Sequence, residues 1–195
     1  MSTRMSRTRR NRQRPGRTRH DLDRAAAELV TDMVWRDPMV EAEWQDVLHL
    51  YFPEWPEVVG EPDHIYVARR PRIGLDRVEG AACTNHPLIV VRASVIKKSR
   101  HQRRALLVHE AAHIVSGPDV PESLGLRHDL VYLLDHGREW QNRMFHAAVT
   151  AYSLPEGWVA RQIIADLADA QALWQDHGHE LEEIATGYSY IREFM

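Results

Sequence analysis

The chain has one cysteine, three phenylalanines and no acidic residue in its first 20 positions. A single cysteine excludes a disulfide-built scaffold and any zinc module made of cysteines alone. No run approaches the roughly 20 apolar residues that a bilayer span needs. No hydrophobic segment follows the N-terminus as a secretory signal would require. The expectation is a soluble, cytoplasmic protein with no membrane partner. What remains is enough for a packed core: 195 residues, 44% of them hydrophobic, the length of one ordinary domain.

The missing N-terminal acids create an asymmetry. Of 25 basic side chains, eight are arginines within residues 1–20 (Arg4, Arg7, Arg9, Arg10, Arg12, Arg14, Arg17 and Arg19). That leaves 17 basic against 28 acidic side chains, a balance of −11, over the rest of the chain. With almost no apolar side chains, residues 1–20 are expected to form a disordered Arg-rich tail. Flexible arginines contact phosphates without reading bases, so the tail is a candidate for non-specific DNA contact. The competing readings are a solvated terminus, a start at Met5, or an organelle transit peptide, the last weakened by the absence of an apolar face. A second basic cluster, Arg92, Lys97, Lys98, Arg100, Arg103 and Arg104, is the alternative place for such a contact.

No repeat or composition break interrupts residues 21–195, which read as a single domain. Asp21 caps an expected helix carrying Leu22, Ala26, Leu29, Val30 and Met33 at helical spacing, and Pro38 interrupts it. Val40, Trp44, Val47, Leu48 and Tyr51 repeat the spacing up to Pro53. Residues 53–63 read as a loop. His64–Ala68 and Leu88–Ala93 read as strands, with a weaker strand in Arg72–Cys83 and a turn at Thr84–Pro87. Further helices are expected at about 99–116, 130–134, 137–152, 158–175 and from Leu181 onward.

The chemistry concentrates in His109-Glu110-Ala111-Ala112-His113. Residues four apart lie about 40° apart around a helix axis, so His109 and His113 share a face and can grip one ion. Leu107, Val108, Ala111, Ile114 and Val115 occupy the opposite arc, ready to pack on a sheet. Zinc accepts neutral imidazoles and lowers the pKa of a bound water toward about 7; a carboxylate placed like Glu110 can then take the proton. Two histidines do not complete a site. A metzincin pattern would need glycine where Ser116 stands, so Asp119 is a poor third ligand. His136-Gly137-Arg138-Glu139-Trp140 is better placed, with His136 facing back from a helix start while Trp140 and Met144 anchor the helix beneath it.

His-Glu-x-x-His, Gly117-Pro118 beyond the helix, and His136-Gly137-x-x-Trp140 together resemble the SprT-like zinc proteases, relatives of which include the Spartan-type DNA–protein crosslink proteases and the Wss1-like minimal zincins. The resemblance covers roughly residues 64–150. It implies an α+β, zincin-like fold, with a small antiparallel or mixed sheet packed on the His-Glu-x-x-His helix and additional N- and C-terminal helices. It implies Zn2+ held by His109, His113 and His136, with Glu110 as the base. The implied activity is a metallopeptidase acting on polypeptides, DNA-associated proteins among them. Two features depart from the family: the stretch between His113 and His136 is longer than expected, and no cysteine-rich zinc ribbon follows.

Other candidates are weighed against this set. His177-Gly178-His179 lacks the tryptophan and reads as a solvated turn. Glu139 as a ligand needs a different helix approach. His128 and His146 read as surface or supporting groups, and Cys83 as a small buried residue. Arg127, Tyr132 and His146 are candidates for stabilising an oxyanion. The substrate is expected to add to the strand Leu88–Ala93. The alternative function is a non-proteolytic adaptor with a structural zinc, for which Glu110 would serve no purpose; a metal-free helical binding module would leave His136 and Trp140 unexplained. The oligomeric state is left open.

Overall fold

The computed structural model describes residues 34–55, 65–69, 79–83, 88–116, 136–172 and 174–175. The Arg-rich residues 1–20 and the helices expected at 22–33, at 130–134 and from Leu181 lie outside them, as do Asp119, Arg127, His128, Tyr132, His177 and His179.

The architecture of the described residues is α+β, four helices with one small mixed sheet. Strand β1 (Val34–Trp35) runs antiparallel to β2 (Ile65–Ala68), pairing Val34 with Ala68. Strand β2 runs parallel to β4 (Leu88–Arg92), and β4 antiparallel to β3 (Gly80–Cys83), so the order is β1-β2-β4-β3. Every residue of β2, and β4 from Leu88 to Val91, is buried. Continuous Ile/Val/Leu runs of this kind mark strands covered on both faces.

Helix α1 (Pro38–Tyr51) begins where the spacing argument saw an interruption. The Asp37 carboxylate accepts from the backbone N–H groups of Met39 and Val40 at 3.0 and 3.1 Å. Pro38, which has no N–H to satisfy, occupies the first turn. The five predicted apolar positions are all buried. After a 3₁₀ turn (Ala93–Lys97), α2 spans Arg100–Ser116. Ser99 and Gln102 cap it reciprocally: the Gln102 N–H donates to Ser99 Oγ at 3.4 Å, and the Ser99 N–H to Gln102 Oε1 at 3.2 Å. Helix α3 spans Arg138–Ser153, and α4 spans residues 157–172. Trp140, Met144, Ala147 and Ala151 of α3 join Val159, Ala160, Ile163 and Ala170 of α4 in the core shared with α1 and α2.

The first half of α2 is tied down by ions as well as by the apolar contacts of Ala105 and Leu107. Arg103 forks onto Glu43 of α1, at 2.6 and 2.7 Å, and both side chains are about nine-tenths buried. The Glu43 carboxylate raises the already high pKa of Arg103. Arg104 is buried and donates to Asp46 at 2.8 Å and to Glu156, which also accepts from the Tyr51 hydroxyl. Lys98 pairs with Glu79 at 2.7 Å, and Arg100 with Asp46 at 3.6 Å. The basic cluster at 92–104 is therefore no free cationic patch: four of its members are engaged by carboxylates, two of them in the interior. No helix among the described residues is long and apolar enough to cross a membrane.

Candidate metal centre

The second half of α2 carries His109 and His113 one turn apart, with Nε2 atoms 3.3 Å from each other. His136 enters from the turn before α3, buried, with its Nε2 3.2 Å from that of His109. One nitrogen from each ring falls within a 4.8 Å group, the one cluster among the described residues with ligand atoms placed to hold a metal ion. The three histidines expected from the sequence are thus brought together.

The spacing suits a metal. Nitrogens about 2.0–2.1 Å from a tetrahedral ion stand about 3.3–3.4 Å apart, close to the two separations here. A neutral imidazole Nε2 is either one donor or one acceptor, so His109 cannot satisfy both neighbours at once through hydrogen bonds. Three imidazole nitrogens grouped this closely can share one cation. Imidazole donors suit zinc and other late first-row ions.

The rings are held from several directions. Trp140, fully buried, lies against all three, with centroids 5.0 Å from His109, 5.6 Å from His113 and 4.5 Å from His136. With Met144 buried one turn on, this is the anchoring expected beneath His136. The His136 carbonyl accepts from Gln141 Nε2 at 3.0 Å and from Trp174 Nε1 at 3.1 Å, which fixes the backbone at the head of α3.

Glu110, next to His109, is buried against the sheet. Its carboxylate lies close to β3: a Cβ built at Gly80 would stand 2.6 Å from Glu110 Oε1 and 3.0 Å from Cδ. Only a residue without a side chain leaves the carboxylate where it is. Nothing in the local sequence marks Gly80, because its role comes from a helix remote along the chain.

One expectation is overturned, and two side chains weighed as candidates lie outside the cluster. Strand β4 is paired on both sides, by β2 and by β3, so its backbone has no free edge to receive a substrate strand. Glu139 is exposed and engaged by Arg143 at 3.1 Å, one turn along α3 and outside the histidine cluster. His146 is exposed beside Phe145, on the face of α3 opposite the buried Met144. Sequence reasoning also missed Asp166, whose Oδ2 lies 3.5 Å from His109 Nδ1. The available signal was a carboxylate three positions after Ile163 on the apolar stripe of α4.

No protein-family model, curated protein or solved structure matches the chain.

Proposed function

We propose that the protein is a zinc-dependent endopeptidase of the SprT-like, zincin type. One observation carries the reading: three imidazole nitrogens are grouped together, two of them from a helix that also carries a buried glutamate next to His109. Zinc in a three-histidine set keeps an open position, where it polarises a carbonyl and lowers the pKa of water toward about 7. Glu110 takes the proton from the attacking water and returns it to the leaving amine. Trp140 and Met144 close the floor beneath the rings and keep bulk water from their inner side. An extended substrate adds to β3, one of the two outer strands of the described sheet, which brings its backbone past Gly80 and the Glu110 carboxylate.

The competing reading is an adaptor with a structural metal. Structural zinc sites close the fourth position with a fourth protein ligand, and they have no use for a buried carboxylate at position 110. Glu110→Gln separates the two. It keeps the size of the side chain and all three histidines, so about one zinc per chain should remain. Cleavage of casein, or of the protein itself, should fall by about two to four orders of magnitude. Equal cleavage by wild type and variant would sink the mechanism. Zinc retained with no cleavage by either protein would favour the adaptor.

A further inference from the structure

We propose that Asp166 is a positioning residue for His109, and that α4 is part of the metal centre rather than an appended helix. The inference rests on reading the histidine triad as a metal site. An imidazole that binds through Nε2 must carry its proton on Nδ1, and a carboxylate facing Nδ1 selects that tautomer and fixes the ring plane. Asp166 Oδ2 faces His109 Nδ1 across 3.5 Å, while Nε2 on the far side of the ring points to His113 and His136.

The carboxylate is itself aimed. Gln162, one turn earlier, donates to Asp166 Oδ1 at 3.1 Å, which leaves Oδ2 for His109. Position 166 also lies on the inward face of α4, between the buried Ile163 and Ala170. The carboxylate keeps 28% of its exposure and reaches His109 from that face. The helix is held at both ends by groups that bear on the site: Glu156, just before its first residue, pairs with Arg104 of α2, and Trp174, just past residue 172, donates to the carbonyl of His136. Two of the three histidines are therefore oriented by α4 and the residues that flank it.

The test compares zinc affinity of the full chain, by competition with a chromogenic chelator, with the melting temperature of the zinc-free protein. Asp166→Ala should weaken zinc binding about 10- to 100-fold. Asp166→Asn keeps the shape and an acceptor oxygen but loses the charge, and should fall between Ala and wild type. Zinc-free melting temperatures should stay within about 3 °C of wild type, a shift worth less than about 1 kcal/mol for a domain of this size. In the cobalt-loaded protein, the visible absorption band should shift in the Asn variant, which a purely structural role would not produce. Zinc affinity within about twofold of wild type in both variants, whatever happens to the melting temperature, overturns the proposal. A wild-type chain that binds no zinc is a different failure, that of the metal reading itself.

Discussion

Helix α2 buries polar side chains along both halves, but in different company. In the first half, Arg103 and Arg104 meet carboxylates of opposite charge from α1 and from the start of α4. Each cation has its counter-ion within the protein. In the second half, His109 and His113 meet a third histidine, and a carboxylate, that of Asp166, faces the outer nitrogen of His109. Like donors converging on a point leave room for something the chain does not supply. Burial of ionisable groups alone does not mark a functional site, since both halves show it. The sign relation among the buried groups does.

The sharpest way to break that contrast is to remove one member from each half. His136→Ala should lose most of the zinc, from about one ion per chain toward none, measured on protein prepared without added metal. If zinc is retained, the third ligand lies elsewhere. Glu43→Ala leaves the Arg103 guanidinium buried without its fork partner, and should cost about 3–5 kcal/mol in urea unfolding. Zinc per folded chain should not change. Replacing both members, Glu43→Leu with Arg103→Met, should recover most of that loss, because a buried ion pair can be exchanged for well-packed apolar groups. No such exchange should be tolerated by the triad.

A smaller effect is expected in alkali. Burial, reinforced by the Glu156 carboxylate it donates to, pushes the Tyr51 hydroxyl well above its usual range. Above about pH 10 the unfolded chain ionises this tyrosine while the folded chain still holds the proton, so stability present below that pH is lost as pH rises. The loss approaches about 1.4 kcal/mol per pH unit for one group, and unfolding curves of Tyr51→Phe should lack that component. The smallest effect belongs to the exposed pair on α3. Glu139→Ala should change stability by less than about 1 kcal/mol and leave zinc unaltered; loss of zinc would return Glu139 to the ligand set.

The sequence made the elements with a clear apolar pattern readable. Five apolar residues between two prolines define α1, and Ile/Val runs define β2 and β4. The histidines were legible because their chemistry depends on local spacing in two short words. What escaped depends on partners remote along the chain. Arg103 and Arg104 read as part of a basic surface cluster because their carboxylates lie 60 and 52 residues away. Asp166 and Gly80 matter only through α2, and no periodicity reports such a contact. Strand β1, two residues long, has no pattern to detect. The error over β4 is different: the turn at Thr84–Pro87 already gave it one partner, and only its parallel pairing with β2 was hidden.

The two sources of the triad also have a polymer-chain consequence. His109 and His136 are 27 positions apart, yet their nitrogens stand 3.2 Å from each other. The entropy of closing a loop grows only with the logarithm of its length, so doubling the intervening chain costs about 0.6 kcal/mol. The long stretch between His113 and His136 therefore adds little to the free energy of assembling the site. Within the described residues, the His136 carbonyl is held by Gln141 and Trp174 and its ring lies on Trp140, all beyond it in sequence. Lengthening or shortening the chain between the second and third histidines by a few residues should therefore change the cost of bringing the three rings together by only about a few tenths of a kcal/mol.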